Sequence, residues 1–463
     1  MTTNSTVNNS LTRRRFLTRS ALGLGIVGLS RELSAATSGF YFPAKAKAVI
    51  QIFLNGGMSQ VDTFDPKPEL TRQAGKKLPY DNLQTERRTG VALPSPFTFK
   101  PYGQSGIPVS DIFPHLAKCV DKMAIIRSMY AELPSHTMSL MLMNSGDQRL
   151  VRPSLGSWLN WGMGSENQNL PGYVALCPSG IPVGGANNWR SAFLPGAHQA
   201  TYVRTAGKDP RKLIPHVQNQ RIPISEQRRQ YDFLQKLNDH HLRNRPGEMA
   251  LEARIRSFEM AYRMQMSVPE LTDLSDEPDH VFDLYGKHSR TPGTYAANCI
   301  LARRLAERGV RFIQLFHVGW DTHGSLSQQL RMQCDDTDMA SGALVQDLRA
   351  RGLLEDTLVI WAGEFGRTPY VQGEVDSPKY GRDHHGRAFT VWMAGAGVKP
   401  GFVHGQTDDF AYNVARDPVH VHDFQATILH LLGIDHEQLT FKFQGRHHRL
   451  TDVHGQLVQN VIG

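Results

Sequence analysis

The chain has 463 residues, 40% of them hydrophobic and 20% charged, an ordinary composition for a globular protein with one large core or two domains. Its net charge of +8 comes from 51 Lys and Arg against 43 Asp and Glu. Residues 1–36 hold five Arg and one Glu, which leaves 46 against 42, or +4, with no basic tract to suit nucleic acid or an anionic membrane surface.

The amino terminus reads as a leader. "TRRRFLTRS" (12–20) sets Arg13 and Arg14 ahead of Phe16 and Leu17, "ALGLGIVGL" (21–29) is a short apolar run, and "SAA" (34–36) offers small residues to a peptidase. This is the pattern of a twin-arginine export signal over 1–36, which implies the export machinery as a partner and a periplasmic or secreted mature protein over 37–463. The apolar run is too short to span a bilayer, and no Cys follows it, so no membrane anchor is expected.

"KAVIQIFLNGG" (47–57) predicts a buried strand ending in a glycine turn, and "KMAIIRSMY" (122–130) predicts another, followed by "ELPSHT". Residues 165–223 are rich in Pro, Gly, Asn and Arg with little periodicity, and 224–268 read as helical with a break at 245–247. Residues 165–290 are therefore expected as a large insertion capping the fold. "TYAANCILARRLAERG" (294–309) predicts a helix that Gly309 ends. A strand over 310–316, a helix from Gln329 to Arg351, strands over 357–366 and 387–398, and an amphipathic helix over 423–434 follow. Strand–helix–strand alternation over about 140 residues predicts an α/β fold with a mostly parallel sheet and helices on both faces. The cysteines, Cys119, Cys177, Cys299 and Cys334, have no C-x-x-C spacing, and one or two disulfides are compatible with export.

In open parallel sheets, ligands bind beyond the strand ends. The predicted tips carry Asn55, then Ser135, His136 and Thr137, then "HVGWDTHG" with His317, Asp321 and His323. Beyond these come Glu364 and Arg367 in "GEFGRTP", and Asp383, His384, His385 and Arg387 in "GRDHHGR". Asp, Glu and His together suit a divalent ion such as Zn, Mn or Ca, and Asp321 and His323 project to one side of an extended segment. Glu364 and His385 are expected to complete the set, with His384 competing for the same role and Asn55 at its margin. Arg367 and Arg387 suit a tetrahedral oxyanion. Asp62 and Asp65 read as turn formers, and Trp320 and Trp361 as core walls.

"AVIQIFLNGGMSQVDTFDPKP", "HVGWDTHG", "VIWAGEFGRTP" and "DHHGRAFTVWMAGAGVKPG" together resemble the domain-of-unknown-function 1501 family, exported bacterial proteins of the alkaline phosphatase superfamily. The resemblance implies an alkaline phosphatase-like three-layer sandwich with a metal site at these positions. It also marks departures: Asn55 stands where active superfamily members carry Asp, and Glu364-Phe365 where they carry Asp-His. No C-x-P-x-R or S-x-P-x-R block is present, which disfavours formylglycine sulfatase chemistry. Ser135 or Thr137 is then the candidate nucleophile, with His136 beside it. The expected function is an exported metal-dependent hydrolase of phosphate or sulfate esters acting on a small-molecule or glycan ester. The alternative is an exported binding or assembly protein that keeps the sandwich without the chemistry.

Overall fold

A computed structural model describes residues 42–80, 89–205, 222–244, 270–374 and 377–463, with 251, 255, 258–260, 262 and 263. The proposed leader lies outside the described residues.

Nine strands form the central sheet: β1 (Ala48–Asn55), β2 (Met123–Tyr130), β3 (Tyr173–Leu176), β4 (Thr201–Val203), β5 (Phe312–Val318), β6 (Thr357–Gly363), β7 (Phe389–Ala394), β8 (Phe402–His404) and β9 (Val419–His420). Their order is β8-β2-β7-β6-β1-β5-β3-β4, and β9 pairs with β2. All pairings are parallel except those of β7, which runs antiparallel to both β6 and β2.

The sheet is buried on both faces because its apolar residues do not alternate with polar ones. Along β1, Ile50, Ile52 and Leu54 enter one core, while Val49 and Phe53 enter the other. The first core is covered by α4 (Asp279–Tyr285), α5 (Tyr295–Glu307) and α6 (Leu326–Ala350), through Phe282, Ile300 and Leu344 among others. The second is covered by α1 (His136–Ser145), α2 (Leu155–Met163) and α7 (Val421–Leu431), through Leu140, Trp158 and Phe424. Each such side chain contributes about 1.5–3 kcal/mol of burial. The result is a three-layer α/β sandwich, as expected from the sequence. Thr294 caps α5 by accepting a hydrogen bond from Ala297 N at 3.2 Å, and Gly309 follows its end at φ +77°.

Residues 165–290 are not wholly a cap. β3 and β4 lie within them and extend the sheet beyond β5. Their strands are only four and three residues long, too short for a two-residue period to stand out in the sequence. The same span carries the helix α3 (Ile224–Asn244), which precedes α4. All four cysteines are buried and free, so the disulfides left open by the sequence do not form. Among the described residues, no helix is long and apolar enough to cross a membrane.

Candidate metal centre

Strand register brings the site together. Asn55 stands opposite Val318, and Leu54 opposite both His317 and Gly363, so β1, β5 and β6 end at one level. The loops carrying Gly56, Asp321 and Glu364 leave the sheet side by side. β7 runs the other way, so its amino end reaches the same rim. There Arg367 pairs with His384 and Gly366 with His385 in a short antiparallel ribbon. Gly56, at φ +125°, is required here: a Cβ would collide with the Asp321 backbone nitrogen.

Asp321 is the hub, its side chain 43% exposed. His323 Nε2 lies 3.0 Å and His384 Nε2 3.1 Å from its Oδ1, and His136 Nε2 lies 3.4 Å from its Oδ2. Behind each ring, Nδ1 faces an acceptor: Glu364 Oε1 at 2.9 Å for His136, Gln372 Oε1 at 2.6 Å for His323, and the Pro134 carbonyl at 2.9 Å for His384. Asp383 Oδ1, 3.8 Å from His323 Nδ1, reinforces the second. These acceptors fix the proton on Nδ1 and leave a lone pair on Nε2. Three inward Nε2 atoms therefore converge on one carboxylate, donating to it where protonated and offering lone pairs where an ion takes the proton's place. Two of them, on His323 and His384, stand only 2.9 Å apart. Two acceptors at that distance need a shared proton or a cation between them.

The electrostatics agree. Burial alone would raise the Asp321 carboxyl, but hydrogen bonds from His136, His323 and His384 and the Arg367 charge hold it well below the usual range. Burial would lower His136, yet hydrogen bonds to Asp321 and Glu364 carry it up to about 9. His384 is instead pushed down, by burial foremost. Without an ion, a positive charge on His136 is therefore favoured.

The ligand atoms fall into two overlapping sets, each within 4.8 Å: His136, Asp321 and His384, and His323, Asp383 and His384. Both use His384, whose Nδ1 is committed to Pro134, so its single free lone pair serves one ion. Three imidazoles and a carboxylate fit a zinc-like transition ion better than calcium, which takes oxygen ligands.

The structure assigns the sequence candidates unevenly. Asp321, His323 and His384 meet. His136, expected as a catalytic neighbour, joins them as a fourth ligand candidate. Glu364 is fully buried one step back, orienting His136 and accepting from Gly56 N at 2.8 Å and from Asn55 Nδ2 at 3.4 Å. Asn55 accordingly supports Glu364 and does not reach the ligand set. His385 faces away, its Nε2 donating to the Tyr412 carbonyl at 2.7 Å, and burial pushes its pKa down to about 4. Adjacent residues in a ribbon point to opposite sides, which is why only one of the pair can enter. Arg367 is fully buried, donating to the Gly57 and Arg382 carbonyls at 3.0 and 3.2 Å, to the Gly56 carbonyl, and to Asp321 Oδ1 at 2.5 Å. It locks the rim and is not available to a substrate oxyanion.

His317 also turns away, accepting from Trp320 Nε1 at 2.9 Å and donating to Asp336 at 2.8 Å. Trp320 and Trp361 are buried core walls, as expected. Asp62 and Asp65 are buried ion-pair partners and not simple turn formers. Sequence reasoning missed Gln372, whose place shows only in the pairing of residues 370–372 beside 381.

A cleft of about 430 Å³ opens beside His384. Ser135, Pro134 and Met138 line one wall, and Tyr370, Asp383, Arg387 and Tyr412 another. Ser135 caps α1 without using its side chain as a cap, so its hydroxyl is uncommitted there. Thr137 is exposed on the first turn of α1. Arg387 is exposed, with its guanidinium 5.3 Å from the centre of the Tyr412 ring.

The family described as "Protein of unknown function (DUF1501)" matches residues 46–462, nearly all of the chain after the proposed leader, and the chain belongs to that family. No curated protein matches it in sequence. Among solved structures, a sulfatase from Pseudoalteromonas sp. is 14% identical with a TM-score of 0.33, covering 84% of this chain and 68% of its own. A lipoteichoic acid synthase from Listeria monocytogenes is 9% identical with a TM-score of 0.34, covering 86% and 74%. An alkaline phosphatase from the Antarctic bacterium TAB5 is 10% identical with a TM-score of 0.33, covering 78% and 94%.

Proposed function

We propose that this DUF1501 protein is a metal-dependent hydrolase of phosphate or sulfate esters that acts outside the cytoplasm. The observation that carries the metal is the 2.9 Å approach of the His323 and His384 Nε2 atoms beside Asp321, with every Nδ1 proton directed outward. His136, His323, His384 and Asp321 would hold the ion, and Glu364, Gln372 and the Pro134 carbonyl would orient the rings. Once bound, such an ion would polarise an ester oxygen and lower the pKa of a nearby hydroxyl or water.

The chain's own residues supply the rest. Ser135 sits between Pro134 and His136, both tied to the ligand set, and lines the cleft. It is therefore preferred over Thr137 as nucleophile. Its Oγ would form the new bond to phosphorus or sulfur as the bond to the ester's alkoxide breaks, the hydroxyl proton passing to that departing alkoxide. Water would then release the acid and restore the hydroxyl. Arg387, being exposed on the cleft wall, takes the oxyanion role that Arg367 cannot.

The consumption of Arg367 by backbone carbonyls favours one other reading, an exported binding protein with a structural ion. A panel of aryl phosphates and aryl sulfates, with added Zn²⁺ or Mn²⁺, separates the two. The hydrolase reading expects turnover that Ser135→Ala reduces by several orders of magnitude while the metal stays bound. Metal bound with no ester cleaved would leave the binding-protein reading. Export by the twin-arginine route rests on Arg13 and Arg14. Changing both to Lys should keep the protein in the cytoplasm, and continued export would refute the route.

A further inference from the structure

We infer that the cleft takes esters whose organic group is an alkyl chain, with Leu133, Met138, Leu150 and Val151 forming the subsite for that chain. The inference rests on the metal-dependent reading above and deepens it by naming the class of leaving group. It begins from exposed apolar side chains. A single one on a surface is ordinary, but several together at a cleft are not. Leu133 and Met138 line the cleft and remain 39% and 36% exposed. Leu150 and Val151, at 57% and 43%, stand in the turn that follows α1. A hydrogen bond brings that turn to the cleft mouth: Glu132 lines the cleft and accepts from Gln148 Nε2. Two residues of chain span at most about 7 Å, so Leu150 lies close to the same mouth.

The turn is held in this arrangement. Asp147 Oδ1 accepts from the Arg149 and Leu150 backbone nitrogens, both at 2.9 Å, and its Oδ2 accepts from Arg152 Nε at 3.2 Å. An ordered turn that leaves two aliphatic side chains in water suits an apolar occupant. The chemistry of the wall selects that occupant. Every exposed apolar side chain here is aliphatic or a thioether, and methionine adapts its shape to a flexible partner. The cleft's aromatic rings, Tyr370 and Tyr412, are buried, and the Arg387 guanidinium stands 5.3 Å from the Tyr412 ring centre. Neither ring presents an open face on which a sugar or an aryl group could stack. The apolar surface begins beside Ser135 and His384, which line the same cleft, so a chain lying on it has its ester oxygen toward the ligand set.

The test has a binding arm and a turnover arm, both on the metal-loaded full chain. In the binding arm, calorimetry compares two inert anions, decylphosphonate and ethylphosphonate, below their micellar concentrations. Each methylene taken out of water raises affinity about fourfold, so covering about half of the additional methylenes predicts a decyl-to-ethyl ratio of at least about a hundredfold. The double change Leu150→Ser, Val151→Ser should lower that ratio about tenfold, and Met138→Ser should lower it by a similar factor. Met332→Ser, at an exposed position on α6 across the sheet from α1, should leave it unchanged. A ratio below about tenfold, or one that Met332→Ser lowers as much as the subsite changes do, overturns the inference. Vesicles of phosphatidylcholine carrying dioleoyl phosphatidate tell two sources of such a chain apart. Cosedimentation that the double change abolishes marks a membrane lipid, and a high decyl ratio without cosedimentation marks a dispersed amphiphile; both support the alkyl subsite.

In the turnover arm, release of phosphate from decyl phosphate and ethyl phosphate, and of sulfate from the matching sulfates, is compared by kcat/KM. Preference for the decyl esters supports the inference. Equal kcat/KM for the two chain lengths overturns it while leaving the hydrolase reading standing. No release from any of the four esters counts against the hydrolase reading, and the affinity ratio then decides the alkyl subsite alone.

Discussion

Asp62 and Asp321 lie in the loops that follow β1 and β5 and answer the problem of a carboxylate near a sheet end in opposite ways. Asp62 is fully buried and receives two hydrogen bonds from the equally buried Arg382, at 2.7 and 3.0 Å, with Ser59 Oγ adding a third at 2.5 Å. One fixed cation meets one fixed anion, and the geometry is complete. Asp321 is partly open to solvent and has a single contact from Arg367. Around it stand three imidazoles whose outer nitrogens are already engaged. The first arrangement is finished by the chain itself. The second leaves converging lone pairs that only a proton or a metal ion can satisfy. On the proposed reading, the difference separates a charge that serves the fold from one that serves the site.

Removing either hub should show this. Asp321→Ala should abolish stoichiometric binding of a divalent ion while leaving the far-ultraviolet circular dichroism unchanged; a variant that still holds one ion per chain would erase the distinction. Arg382→Ala should do the reverse. It strands Asp62 as an unpaired buried charge, a loss of about 3–5 kcal/mol on denaturant unfolding. The fraction that remains folded should still take up metal. If Arg382→Ala lost metal without losing stability, the two regions would not be distinct.

The orienting residues allow a finer test. Gln372→Leu removes the acceptor behind His323 and should weaken metal binding about 10–100-fold, measured by competition with a chelator of known affinity. The same change in the finished region, Ser59→Ala, should leave metal affinity untouched. Equal effects of the two would contradict the assignment of Gln372.

The smallest expected effect concerns pH at a histidine outside the ligand set. Burial pushes the pKa of His422 down, with its Nε2 donating to the Gly146 carbonyl at 2.9 Å and its Nδ1 buried without a partner. His420, His454 and Glu132 are the charged or titratable groups around it. A folded pKa below the unfolded value of about 6.5 means stability that is present above about pH 6.5 and lost as the pH falls through the folded value. The Tm should therefore drop between pH 7.5 and pH 5, and His422→Gln should flatten that drop. An unchanged pH profile in the variant would remove His422 from the account.

The long elements of the fold were readable because their signals are long. β1, β2, β5 and β6 are runs of seven or eight mostly apolar residues, and α5 carries both a Thr cap and a closing Gly. β3 and β4 were not readable, being four and three residues set in a Pro- and Gly-rich stretch. At the site, residue type pointed to loops that converge in the structure but not to which atoms meet there. His384 and His385 are indistinguishable by composition, and only the pairing of Arg367 with His384 decides which ring turns inward. Glu364 and Arg367 have the chemistry of a ligand and an anion clamp. Burial one step behind the rim makes them supports for His136 and for the Gly56 and Gly57 carbonyls. Sequence alone could not choose between a ligand and a loop histidine for His136, because the first turn of α1 carries it across from the far side of β7.

The central claim is that one divalent ion sits among His136, His323, His384 and Asp321. The most direct measurement is a titration of chelator-treated protein with Co²⁺, following the visible absorption of the bound ion. The account predicts saturation at one equivalent, with an intense band of the kind given by low-coordinate nitrogen and oxygen ligands, displaced by Zn²⁺ and absent from Asp321→Ala. No visible band, or a band that persists in Asp321→Ala, would contradict it.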